Sequence, residues 1–79
     1  MYFKKEYLDI IRVRRINRYD LARRIKGEKY GVKEIWNYYG NLLKILNGQL
    51  SAGKMNMLQI TPVLNEMLEL DLTDSDYFE

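Results

Sequence analysis

Between Asn17 and Gly48 the chain reads NRYDLARRIK-GEKYG-VKEIWNYYGNLLKIL-NG, and the apolar spacing in this stretch decides the fold. Asn17 is a residue type that caps helix starts, and Asp20 stands where an acid complements the first turn. Leu21, Ala22 and Ile25 follow at helical spacing, so the stretch predicts a helix over 18–26 that Gly27 ends. A polar linker, Gly27 to Gly31, leads to a second helix predicted over 32–46. Val32, Ile35, Trp36, Tyr39, Leu42, Leu43 and Leu46 form its apolar stripe, at intervals of three and four residues. That stripe makes Trp36 a core side chain rather than a platform for stacking bases. Gly40 within it marks a candidate kink or break, after which Asn41 is placed to cap again. Asn47-Gly48 is the stop, since both residues tolerate the left-handed conformation.

The flanks read as helical too. Residues 4–15 form a predicted amphipathic helix in which Tyr7, Leu8, Ile10 and Ile11 are apolar and arginines fill the other side. Residues 49–53 are a predicted loop, and helicity resumes between Lys54 and Pro62. Thr61-Pro62 has the look of an N-cap followed by proline at the first helical position, which places the next helix at 62–70. A last turn over 74–78 carries Tyr77 and Phe78 as apolar anchors. No run of four or more residues alternates as a half-buried strand does. The expected fold is all-α, a single domain over 1–79 built as a small bundle of four to five short helices containing a helix-turn-helix.

Composition narrows the chemistry. The 79 residues include no cysteine and no histidine, which removes disulfides, thiolate nucleophiles, imidazole bases and the commonest zinc and haem ligands. Without a nucleophile–base or metal constellation, an enzyme is not expected, and neither is a cofactor or a metal. Apolar runs stop far short of the roughly 18 residues that a membrane span needs. Met1-Tyr-Phe-Lys-Lys has no apolar segment after its charges, so no secretory signal is read there, and the expected compartment is the cytoplasm. The net charge of +2 conceals a division. Residues 1–33 hold eleven Lys and Arg against four acids, a net of +7, whereas residues 34–79 hold two against seven, a net of −5. A basic half of this kind suits a polyanion, against the plainer reading that cations merely solvate helix surfaces.

Three pieces, in order, carry a family resemblance. Ile16-Asn-Arg-Tyr-Asp-Leu-Ala-Arg-Arg-Ile25 resembles the second helix of Cro/phage-repressor (XRE-type) helix-turn-helix domains. Ile45-Leu-Asn-Gly48 is similar to the family's close of the recognition helix, and residues 70–78 resemble its acidic, aromatic ending. The segment from Gly31-Val32 to Asn47-Gly48 is about one helical turn longer than is usual there, and the loop after Gly48 is longer as well. The resemblance implies that the third helix enters the major groove while the second crosses the backbone.

The apolar stripe leaves Lys33, Asn37, Tyr38, Asn41 and Lys44 facing outward. Asparagine pairs bidentately with adenine, and lysine reaches guanine or phosphate. Asn37, Tyr38 and Asn41 are therefore the candidate base readers, with plain solvated surface as the competing reading of the two asparagines. Counting back from Asn47-Gly48, the resemblance puts Tyr38, Gly40 and Asn41 at base-reading positions and Lys44 near the backbone. Arg18, beside the first amides of its helix, is the leading phosphate contact, and the resemblance implies a phosphate-contacting polar side chain at that place. Arg14, Arg15 and Lys33 accompany it. Arg23 and Arg24 are expected to pair with Asp20 or Glu28 instead. Tyr30 and Tyr38 are expected to be exposed, and Asp74 and Asp76 to form a solvated turn rather than an acid/base pair.

The expected function is a sequence-specific DNA-binding transcriptional regulator of phage or mobile-element type, repressor- or Cro-like. It would read double-stranded DNA as a homodimer, with the Met- and Leu-rich second half supplying the subunit contact. The alternative is a helix-turn-helix protein that docks on another regulator, an antirepressor or modulator, which the extra turn and the tyrosines favour.

Overall fold

The computed structural model describes residues 1–27 and 29–79, and among them five helices form an all-α bundle. They are α1 (Lys5–Val13), α2 (Arg18–Lys26), α3 (Val32–Leu46), α4 (Lys54–Leu68) and α5 (Asp74–Tyr77). α2 packs on both α3 and α4, and α5 folds back on α4. The core lies between them and draws on every helix: Leu8 and Ile11, Leu21, Leu42 and Ile45, Ile60 and Leu64, and Tyr77.

α2 and α3 occupy the spans their sequence predicts. The Asn17 side chain accepts the Asp20 N–H at 3.0 Å, satisfying one of the amides that a helix start leaves free. Gly27 ends α2 at φ 83°, and Gly48 follows α3 at φ 75°. After α3 the Gly48 N–H returns to the Ile45 carbonyl and the Gln49 N–H to that of Lys44, which closes the helix in a Schellman turn. α3 runs unbroken through Gly40, so neither the kink nor a new cap at Asn41 occurs.

α3 is nevertheless turned from the expected phase. Its buried side is Ile35, Tyr38, Leu42, Ile45 and Leu46, with Tyr39 and Leu43 half-buried at the edge. Trp36, read above as core, is 53 % exposed, and Val32 is exposed as well. Tyr38, read as exposed, is buried. Two overlapping apolar stripes run along this helix, and periodicity alone does not choose between them. Leu42, Ile45 and Leu46 crowd the C-terminal half and select the stripe to which Tyr38 belongs.

Five boundaries shift; α1 begins at Lys5 rather than 4, and α4 ends at Leu68 rather than 70, where Glu69 turns left-handed. α1 stops at Val13 rather than 15 because Arg15 turns left-handed at φ 55°. The Ile16 N–H then reaches the Ile11 carbonyl, and Ile16 packs on the core. α4 begins at Lys54, more than two turns before Pro62, which sits inside the helix. Pro62 is exposed there, and Thr61 is buried within the helix instead of capping it. α5 ends at Tyr77, one residue short of the turn expected over 74–78.

The sequence gives no sign of the contact that joins the two ends. Phe3 and Phe78 form an isolated antiparallel bridge, flanked by hydrogen bonds from Tyr2 N–H to the Glu79 carbonyl and from Lys4 N–H to that of Tyr77. Phe3, Tyr7, Tyr77 and Phe78 pack ring against ring around it. Tyr77 and Phe78 are the apolar anchors their sequence suggested.

Candidate nucleic-acid interface

Lys33, Asn37, Asn41 and Lys44 succeed one another along α3 at intervals of four, four and three, and all four are exposed. Residues at these spacings share one face, so the helix presents a polar strip with a cation at each end. Asn37 and Asn41 line one open cavity of about 340 Å³ together with Glu34. Lys26 from the end of α2 and Tyr30 from the following connection complete its walls.

Tyr38 contributes its ring to the same cavity but cannot read a base edge. Its hydroxyl is buried without a hydrogen-bond partner among the described residues, and burial pushes its ionisation up to about 12. The Lys26 ammonium lies 4.7 Å from the centre of the Tyr38 ring and 5.3 Å from that of Tyr30, so both rings hold it by cation–π attraction. Tyr30 is exposed as expected.

The arginines divide by what they touch. Arg23 and Arg24 both donate to the Asp20 carboxylate, whose ionisation is lowered first by the hydrogen bond from Arg23, and Arg24 also reaches Glu66 at 3.3 Å. The expected pairing with Asp20 therefore holds, while that with Glu28 lies outside the described residues. The Arg14 guanidinium donates to the carbonyl of Leu68, the last residue of α4. A cation there satisfies a free carbonyl and meets the negative end of the helix dipole, which withdraws Arg14 from the backbone-contact set. Arg15 is exposed in its left-handed turn, and Arg18 is half-buried in the first turn of α2.

The structure thus gathers Asn37 and Asn41 with Lys33 and Lys44, sets Tyr30 beside the two asparagines, and adds Lys26 and Glu34, which sequence reasoning missed. Lys26 and Tyr30 reach the strip from the end of another helix and across a connection, so no periodic signal could assign them. Among the described residues no helix is long and apolar enough to cross a membrane. Comparison with models of protein families, with curated proteins and with solved structures returns no match to this chain.

Proposed function

We propose that this protein binds duplex DNA as a transcriptional regulator of the helix-turn-helix kind, with α3 in the major groove. The supporting observation is the exposed strip Lys33–Asn37–Asn41–Lys44, whose two amides carry the donor and acceptor pair that adenine's edge requires. Arg18 and the first amides of α2 are the phosphate contact in this reading, and Arg15 and Lys26 add positive charge. The order α2, short connection, α3 supports the resemblance to Cro and phage repressors and with it a repressor-like role. One module of this size offers few contacts, which favours a homodimer. Met55 and Leu58, exposed on α4, are the side chains such a contact would cover.

The test is a gel shift on DNA flanking the protein's own coding sequence, at low and moderate salt with competitor. Retardation that survives competitor is the expected result. No retardation at micromolar protein would transfer the strip to the alternative, docking on another regulator.

A further inference from the structure

Trp36 is the chain's one tryptophan, and more than half of it is open to solvent. It is not loose. Tyr19 of α2 lies against the indole with ring centres 4.6 Å apart, and Tyr39, one turn further along α3, meets it edge-on at 5.3 Å and 88°. The two tyrosines also touch each other, at 5.9 Å, and both are half-buried against the core. Three rings therefore form a ledge whose outermost member is held in place before any ligand arrives, so little ordering cost remains for binding.

The ledge has positive surroundings. Lys33 stands one turn before Trp36 on α3 and is exposed; Arg18 directly precedes Tyr19, and Arg23 lies one turn beyond it. Asp20, the acid on this part of α2, is occupied by Arg23 and Arg24. A fixed aromatic surface among cations suits a ligand that is flat and anionic at once. Bases inside a duplex have both faces covered by their neighbours, so groove recognition leaves this ledge unused. Unpaired bases offer theirs. We propose that the Tyr19–Trp36–Tyr39 ledge binds single-stranded nucleic acid, one base stacking on Trp36 while adjoining phosphates meet Lys33 and Arg18. The proposal goes beyond the duplex reading: it shares the cations Lys33 and Arg18 with that reading, but its stacking surface, Tyr19, Trp36 and Tyr39, has no part in it.

A single tryptophan makes its own emission the probe. The full chain is titrated with oligothymidylate, with a blunt-ended duplex and with an acidic peptide, and an end-labelled strand is followed by anisotropy. Oligothymidylate should quench Trp36 saturably and more weakly as salt rises. Trp36→Ala should bind the labelled strand roughly tenfold or more weakly, the scale of one lost base–aromatic stack, with a melting curve close to wild type. Trp36→Phe should recover part of the loss, and Lys33→Gln should lower the salt slope by about 0.7. Absence of quenching by the strand at low salt overturns the proposal, as does undiminished strand binding by Trp36→Ala. Equal quenching by the duplex, or quenching by the peptide alone, overturns it too and assigns the ledge to the groove or to a protein. Failure of the duplex reading registers elsewhere, on Asn41→Ala with duplex DNA.

Discussion

Asn65 uses both ends of its amide to hold the C-terminal segment to α4. Its Nδ2 donates to the Leu72 carbonyl at 2.8 Å, and its Oδ1 accepts from the Leu72 N–H at 3.1 Å and the Tyr77 hydroxyl at 2.7 Å. Removing it strands a buried hydroxyl together with two backbone groups, so Asn65→Ala should cost about 2–4 kcal/mol, against about 1 kcal/mol for Tyr77→Phe. Chemical denaturation of the two variants measures both, and equal, small losses would contradict the assignment. Leu42 is fully buried and Trp36 is not. Leu42→Ala should accordingly lose about 2–5 kcal/mol, whereas Trp36→Ala should lose far less despite its greater size. The reverse order of melting temperatures would restore the phase of α3 that periodicity first suggests. At this scale the capping pair Asn17 and Asp20 was legible because its chemistry is local. The exchange of Trp36 for Tyr38 was not, because burial is settled by helices distant in sequence.

The helix ends follow the same division. Gly27 and Gly48 announce left-handed stops through glycine itself, but α1 and α4 stop on Arg15 and Glu69, at φ 55° and 56°. In both the next residue, Ile16 or Leu70, packs against the core and sends its N–H back five residues, so an apolar contact enforces a backbone shape that an L side chain resists. Glu69→Gly should therefore raise stability by roughly 0.5–1 kcal/mol, an unchanged or lower melting temperature being the contrary result. Pro62 misleads in the opposite direction. Proline is common at a first helical position, yet here α4 starts at Lys54 and carries Pro62 on its exposed side. It cannot supply an amide to the helix ladder, so Pro62→Ala should raise the melting temperature by several degrees. A drop would mean that Pro62 is needed for the packing of α4.

For the molecule as a whole, closure rests on aromatic residues that meet only after folding: Phe3, Tyr7, Tyr77 and Phe78 join the two ends. Tyr77 is raised to about 12, by burial first and then by Tyr7 and Asp76, and burial raises Tyr38 equally, from an ordinary value of 10. A raised phenol favours the neutral form in the folded state. The stability it contributes is present below pH 10 and is lost as pH rises through about 12. Alkaline titration followed by ultraviolet absorbance should show Tyr38 and Tyr77 ionising near pH 12, together with loss of helix. Tyr38 and Tyr77 ionising near pH 10 in an intact fold would contradict their burial. Bundle class and helix order were legible at this scale, as was the basic half. The joined ends were not, since two short extended pieces carry no alternating pattern. The proposal that α3 reads duplex DNA is tested most directly by one comparison: the affinity of wild type and Asn41→Ala for a duplex enriched from a randomised pool and for its scrambled counterpart. Wild type should prefer the enriched duplex, and Asn41→Ala should lose about 1–3 kcal/mol on it while binding the scrambled one as wild type does. Wild type binding both duplexes alike, or Asn41→Ala losing nothing on either, would contradict it.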